Sequence, residues 1–229
     1  MNQTVAIIST CKNRQEMLSV SLASWLANRS VSEIVITDWS SNFSLQYLAK
    51  IDSRITIVRV ENQVYFHKTR ALNLALNHVT SQVILQMDVD YILNPYYNLI
   101  RDLEVSVDEF VVGDGWTGAI DQGPSWDFFA PTNGFLCVHK EALDKVGGYN
   151  EELKGWGYED ADIQNRLWSI GLKRKILFLT KRQYLYHNPH PKSKRVENYQ
   201  NKNMSKSHRN NELIGEKWRD DLDDWGYYR

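Results

Sequence analysis

Apolar residues along the chain fall into short β-branched runs separated by stretches whose apolar positions repeat every three or four residues. The first run, Val5-Ala6-Ile7-Ile8, ends in polar Ser9-Thr10-Cys11-Lys12-Asn13-Arg14, after which Met17, Leu18, Leu22, Trp25 and Leu26 recur with helical spacing. Glu33-Ile34-Val35-Ile36 is a second buried run and leads into Thr37-Asp38-Trp39-Ser40-Ser41. A short helix is expected around Leu45 to Ile51, followed by a strand over Arg54 to Val60. From about Lys68 to Val79 a helix carries Ala71, Leu72, Ala75, Leu76 and Val79 on one face, returning the chain to Val83-Ile84-Leu85. Strands alternating with helices in this way predict a mostly parallel sheet with right-handed crossovers.

The run Val83-Ile84-Leu85 continues into Asp88-Val89-Asp90 within VILQMDVDYIL, residues 83 to 93. If the backbone stays extended, both carboxylates project to the same side. Ligands of open α/β sheets bind beyond the carboxyl ends of the strands, where a divalent cation would relieve that repulsion and grip a phosphate. The plainer reading is that Asp88 and Asp90 only solvate a strand exit, and a lone Asp-x-Asp does not decide between the two.

Beyond Asp90 the pattern changes. Asn94-Pro95 opens a turn or short helix, Glu109 to Val112 reads as a strand, and 113–133 is a Gly/Trp/Pro-rich loop too long for a mere connector, so it is expected to bind something. Within it, Trp116 and Trp126 serve either to contact what is bound or to plug the loop. Thr132 to His139 reads as a strand and Lys140 to Val146 as a helix capped by Gly147-Gly148. Gly155-Trp156-Gly157-Tyr158-Glu159-Asp160-Ala161-Asp162 leads into a helix with Ile163, Leu167 and Ile170, closed by Gly171. An alternating strand, Tyr184-Leu185-Tyr186, then delivers His187-Asn188-Pro189-His190 into a loop. Residues 192–209, rich in Lys, Arg, Asn and Ser, read as a solvated linker or as a loop that orders on ligand binding. Glu212 to Asp224 fits an amphipathic terminal helix.

Composition narrows the partners. With 27 basic and 28 acidic residues the formal charge is −1, which gives no electrostatic reason to expect nucleic acid. The two cysteines, Cys11 and Cys137, each lie beside an apparent strand and are expected as buried reduced thiols. Thr4 to Ser9 is strand-like rather than a secretory leader, and no apolar run approaches the roughly 20 residues that span a bilayer. The expectation is a cytoplasmic protein, or a catalytic domain of a longer one, with peripheral association at the inner membrane surface through the basic 192–209 segment left open.

The strand-borne Asp-Val-Asp, Asp38 after a buried strand, GWGYEDAD at 155–162 and YHNP at 186–189 together resemble the GT-A glycosyltransferases. The likeness is greatest to the inverting group that includes β-1,4-galactosyltransferases and the catalytic domains of bacterial chondroitin polymerase. It covers roughly residues 4 to 190. It implies an α/β fold of GT-A type, with a mostly parallel central sheet flanked by helices. This would be a single Rossmann-like nucleotide-binding domain with an acceptor-binding C-terminal half. Residues 1–93 would form the nucleotide-sugar half, 94–190 the acceptor-binding and catalytic half, and 191–229 a flexible basic segment with a C-terminal helix.

The resemblance also implies roles. Thr10 and Arg14 would line the nucleotide site, Asp38 would accept a hydrogen bond from uracil, and Asp88 would contact ribose or the donor sugar. Asp90 and His187 would ligate the metal, Mn²⁺ with Mg²⁺ as the alternative; His190, His67 and His139 compete with His187 for that place. Asp160 would be the general base on the acceptor hydroxyl, Glu159 would orient hydroxyls beside it, and Trp156 would form a sugar platform. Lys68 and Arg70, in HKTRALN at 67–73, would face the donor. The activity implied is metal-dependent, inverting transfer from a UDP-sugar (Gal, GalNAc, GlcNAc or GlcA) to a hydroxyl of a glycan or lipid-linked saccharide acceptor, in bacterial surface polysaccharide synthesis.

Elementary chemistry agrees. A nucleoside diphosphate leaving group calls for a cation, carboxylate with imidazole suits Mn²⁺ better than Mg²⁺, and an inverting displacement needs one carboxylate at the incoming hydroxyl. As helix N-terminal acids, Glu159 and Asp160 could instead serve only the helix dipole, but capping needs neither the flanking glycines nor the tryptophan. A retaining enzyme on the same fold would not need Asp160. A sugar-phosphate nucleotidyltransferase would carry a Gly-rich loop after the first strand, where Ser9 to Arg14 has no glycine. A non-catalytic sugar- or nucleotide-binding module would be marked by loss of an acid from one cluster, and none is lost.

Overall fold

The computed structural model of the 229-residue chain describes residues 3–94, 103, 105–116, 129–178, 185–188, 190, 191, 193 and 196–217. Nine strands are formed there: β1 Val5–Cys11, β2 Val31–Trp39, β3 Ile55–Val60, β4 Val83–Met87, β5 Tyr91–Leu93, β6 Glu109–Trp116, β7 Phe129–His139, β8 Lys173–Phe178 and β9 Leu185–His187. The α-helices are α1 Gln15–Ala27, α2 Lys68–Leu76, α3 Lys140–Lys145, α4 Glu159–Ser169 and α5 Met204–Glu216, with a 3₁₀ turn at Gln46–Lys50.

Seven strands make one sheet in the order β3-β2-β1-β4-β7-β6-β8, and β7 alone runs antiparallel to its neighbours β4 and β6. The sheet is therefore mostly parallel, as the strand–helix alternation predicts, and it takes strands from both halves of the chain. Every residue of β1 is buried, as a strand covered on both faces requires. Alternate residues serve two cores. Ile7, Ile34 and Leu85 pack with Leu18, Leu22 and Trp25 of α1 on one face. Ala6, Ile8 and Ile84 pack with Leu72, Ala75 and Leu76 of α2, and with Ile163 and Leu167 of α4, on the other. The chain winds from β1 outward to β2 and β3, then returns to β4 on the far side of β1. That reversal opens a crevice at the carboxyl ends of β1 and β4, beside Thr10–Arg14 and Asp88–Asp90.

Three local readings are revised. The 83–93 run does not stay extended: it divides into β4 and β5, with Asp88-Val89-Asp90 in the turn between them and Tyr91 N donating to Asp88 O at 3.1 Å. β5 pairs with β9 as a separate antiparallel ribbon, Tyr91 opposite His187. Residues 113–116 and 129–133 of the presumed long loop belong to β6 and β7, joined past a register shift at Val112/Gly113. Finally, 196–209 is not a solvated linker at its described positions. Val196, Tyr199 and Ser207 are buried, and α5 begins at Met204, where the Asn203 side chain caps Lys206 N. The expected turn after Pro95, Trp126 and residues 218–224 of the expected terminal helix lie outside the described residues. Among the described residues no helix is long and apolar enough to cross a membrane.

Candidate active site

The crevice is a cavity of about 690 Å³ lined by Thr10, Arg14, Lys68, Asp88, Asp90, Trp156, Glu159, Asp160 and His187, nine of the eleven residues expected at the site. Two do not reach it. Asp38 is wholly buried, its Oδ1 accepting from Ser41 N at 3.1 Å and its Oδ2 from Leu45 N at 2.9 Å and from Arg59 Nη1 at 2.7 Å. This carboxylate closes the turn after β2 and does not line the cavity. Arg70 points to the opposite side of α2, 60% exposed and 3.8 Å from Glu151, beside a separate shallow depression. It does not face the donor side of the cleft.

At one part of the cavity Asp90 gathers two imidazoles. His190 Nε2 stands 3.0 Å and His187 Nε2 3.6 Å from Asp90 Oδ2, and Arg14 Nη1 approaches the same oxygen at 3.4 Å. The β5–β9 ribbon brings His187 there, reinforced by Asn188 N donating to Asp90 O at 2.7 Å. Helix α1 fixes the ribbon from below: Ser21 Oγ donates to Val89 O at 2.7 Å and Trp25 Nε1 to Tyr91 O at 2.9 Å. One potential ligand atom from each of Asp90, His187 and His190 lies within 4.8 Å of the others. Asp90 Oδ1 and His187 Nδ1 are buried without a hydrogen-bond partner. A buried, unpartnered carboxylate oxygen beside two imidazoles suits a cation of borderline softness, so the residues fit a metal. Burial would raise the Asp90 carboxyl, but hydrogen bonds from His187 and His190 and the nearby positive charges hold it well below the usual carboxylate range. His67 and His139 lie elsewhere: His67 faces the Arg70 depression, and His139 Nε2 meets Val105 O at 3.0 Å.

Elsewhere in the same cavity three carboxylates surround one lysine. Lys68 Nζ is 3.0 Å from Asp88 Oδ1 and 3.1 Å from Glu159 Oε1, joining the exit of β4 to the first turn of α4. Burial works to lower the Lys68 ammonium, but Asp160, Asp88 and Glu159 outweigh it and raise it well above the ordinary value. Burial, and then the charges of Glu159 and Asp88, push Asp160 up to about 7 against the pull of Lys68 and a backbone hydrogen bond from Gly134. Asp88 is likewise raised by burial and by Asp90, with Lys68 opposing.

Glycines make room for this packing. Gly134 accepts from Asp88 N at 3.0 Å, has φ +90°, and a Cβ there would collide with the Asp88 carboxylate. Gly155 and Gly157 lie against α5, where Ser207 Oγ accepts from Trp156 N at 2.8 Å and Asn211 Nδ2 donates to Gly157 O at 2.8 Å. Within α4 the buried pair Asp162–Arg166, at 2.8 Å, ties the helix to Val146 O through the Arg166 guanidinium. Sequence reasoning missed Gly134, Asn198, Tyr199 and His208, all at or beside the cavity. Only the glycine in Asn133-Gly134-Phe135, inside an apolar strand, carried a signal for close approach.

An α/β sheet whose reversal point opens on an acid- and histidine-lined cleft is a Rossmann-like nucleotide-binding arrangement, and the matches below make it one of GT-A type. Residues 6–126 match the family model described as glycosyl transferase family 2, and the chain belongs to that family. Residues 122–191 match a second model, described as the N-terminal domain of galactosyltransferase.

Among solved structures, GalNAc-T7 with UDP, GalNAc and Mn²⁺ is similar with a TM-score of 0.67 at 16% identity, over 97% of this chain and 49% of that one. TarS residues 1–349 of S. aureus gives 0.63 at 16% identity, over 81% and 60%. The mannosyltransferase PcManGT from Pyrobaculum calidifontis, in complex with GDP-Man and Mn²⁺, gives 0.63 at 14%, over 84% and 59%. The chain thus spans between about half and three-fifths of these relatives.

Proposed function

We propose that this chain is a metal-dependent, inverting glycosyltransferase moving a sugar from a UDP-sugar to a hydroxyl of a glycan or lipid-linked saccharide acceptor. The donor sugar is Gal, GalNAc, GlcNAc or GlcA, and bacterial surface polysaccharide synthesis is the setting. The observation that carries the reading is that a single cleft contains both the Asp90–His187–His190 cluster and the Asp160–Glu159 carboxylates, with Lys68 joining Glu159 to Asp88, two residues before Asp90. Residues 1–93 supply the donor side and 94–190 the acceptor side. The solved structures similar to this chain include complexes with UDP-GlcNAc, with UDP, GalNAc and Mn²⁺, and with GDP-Man and Mn²⁺, which supports the same class of donor and metal.

Asp90, His187 and His190 would hold Mn²⁺, with Mg²⁺ the poorer alternative because it prefers an all-oxygen shell. When bound, the metal supplies Lewis acidity that takes up charge on the leaving diphosphate. Thr10 and Arg14 bound the nucleotide side, and Asp88 lies where ribose or the donor sugar would pass. Asp160 takes the proton of the acceptor hydroxyl as that oxygen bonds to the anomeric carbon. The bond from carbon to the diphosphate oxygen breaks, and the nucleoside diphosphate leaves with the electron pair. A carboxyl raised to about 7 is a base matched to neutral pH. Glu159 Oε2, buried and without a partner, offers an acceptor for a neighbouring sugar hydroxyl, and the Trp156 ring offers a face for a pyranose.

The test is thermal unfolding with UDP, GDP, CMP and dTDP, each with and without Mn²⁺. A ligand at 100 times its Kd adds about 2.7 kcal/mol, several degrees for a chain of this size. Stabilisation by UDP that requires Mn²⁺ is expected; stabilisation by none of the four would overturn the reading.

A further inference from the structure

The turn that leaves β1 at the nucleotide side of the cleft is held by a residue 185 positions downstream. Asn198 Nδ2 donates to Lys12 O at 2.8 Å, and Asn13 Nδ2 donates to Asn198 Oδ1 at 3.4 Å. The Asn198 backbone is itself fixed, its carbonyl accepting from Phe66 N at 2.8 Å, while the neighbouring Tyr199 ring packs on Phe66 at 5.3 Å. Asn198, Tyr199, Phe66, Lys12 and Thr10 all line the cavity.

The turn needs such holding. Asn13 sits at φ +55°, a left-handed conformation that asparagine tolerates better than other side chains but that is still uncommon outside a supported turn. Two other anchors come from the exits of β2 and β3. Lys12 Nζ donates to Trp39 O at 3.2 Å and Gln63 O at 2.8 Å, and Asn13 Oδ1 accepts from Asn42 N at 2.8 Å. Asn198 supplies the third, from the cavity side, one residue before Arg14 reaches Asp90.

We infer that Asn198 is a positioning residue for the nucleotide, through which the C-terminal segment completes the donor side of the cleft. Its carboxamide holds the Lys12–Arg14 turn in the shape the nucleotide meets. The inference rests on the cleft being a nucleotide-sugar site. It adds that residues 196–199, which carry none of the metal-binding or acid–base groups, set donor affinity.

The experiment is calorimetric titration of UDP in Mn²⁺ into the full chain and two variants, with unfolding of each followed in parallel. Asn198→Leu keeps the bulk and removes both hydrogen bonds; it is expected to raise the UDP Kd about tenfold. Its affinity for Mn²⁺ alone is expected to stay unchanged, because Asp90, His187 and His190 are untouched. Asn203→Ala, which uncaps α5 in the same segment, is expected to lower Tm and leave the UDP Kd as it was. Should the leucine variant not fold, Asn198→Asp retains the acceptor and loses the donor, and the same increase in Kd is expected. Wild-type UDP affinity in the Asn198 variants overturns the inference, as does an equal loss in Asn203→Ala, which would mean that affinity merely follows stability. If the wild-type chain binds no nucleotide at all, the nucleotide reading itself falls, and the inference with it.

Discussion

Replacing Lys68 by methionine should turn the centre of the cleft from a balanced cluster into an uncompensated one. The two side chains are similar in length, so the change removes a charge without opening a large void. It leaves Asp88, Glu159 and Asp160 without the cation that now stands 3.0 Å from Asp88 and 3.1 Å from Glu159, in a site where the lysine and Glu159 side chains are only 9% and 8% exposed. Removing one partner of a buried ion pair costs about 3–5 kcal/mol. At about 2–4 °C per kcal/mol for a chain of this size, Tm should fall by roughly 6–20 °C at pH 8.

The pH dependence makes the argument specific. Asp160 is raised in the folded state to about 7 from an ordinary 3.8, so the folded protein binds its proton more tightly than the unfolded chain does. Its contribution therefore favours folding at low pH and is lost as pH rises from about 4 through 7. Without Lys68 the carboxyl is raised further, and the penalty above neutrality grows. The Tm difference between wild type and variant, followed by calorimetry in EDTA, should be large at pH 8 and should shrink steadily toward pH 5. A difference that is the same at both pH values, or below about 2 °C throughout, would refute Lys68 as the counterion of the cluster.

Three further outcomes are expected. Asp160→Asn should retain UDP and Mn²⁺ affinity while transfer falls by about 10²–10⁴-fold, and the wild-type rate should rise with pH and level off above about 7; lost nucleotide binding in the variant would remove Asp160 from the base role. His187→Ala and His190→Ala should each weaken Mn²⁺ binding, read from free Mn²⁺ by electron paramagnetic resonance, by more than about tenfold, since loss of even an outer partner of a metal ligand costs about 10–100-fold. An unchanged His190 variant would reduce the ligand set to Asp90 and His187. Gly134→Ala should lower Tm and UDP affinity together, because φ +90° strains any side chain, at about 1–3 kcal/mol, and the added methyl meets the Asp88 carboxylate; wild-type values for both would show that Asp88 can move aside.

The limits of the sequence are physical. Strands β1, β2 and β4 and helices α1 and α2 were legible because burial on both sides of a sheet enforces apolar runs and 3.6-residue stripes, which are local patterns. The same stripe held the answer for Lys68 and Arg70. Lys68 shares its face with Leu72, Ala75 and Leu76, at spacings of four, seven and eight, whereas Arg70 shares its own with half-buried Leu74, so helix phase alone sends the first into the cleft and the second to solvent. The burial of Asp38 was not legible because its carboxylate is held by amides at Ser41 and Leu45 and by Arg59, which are turn contacts that leave no hydrophobic signature. The His187–His190 pair needed the β5–β9 ribbon, whose partners lie more than ninety positions apart and whose strands of three residues each are too short to announce a register. Least legible was α5. Besides the His208 ring, its contacts to the Gly155–Tyr158 loop come from Ser207, Asn211 and Gly215 at four-residue spacing: two hydrogen bonds, and one close approach in which any Cβ on Gly215 would strike the Tyr158 ring. A stripe of small and polar residues looks like solvent-facing sequence when only hydrophobicity is read. Here it is the buried face, because it meets the Trp156 N–H, the Gly157 carbonyl and the Tyr158 ring at close range.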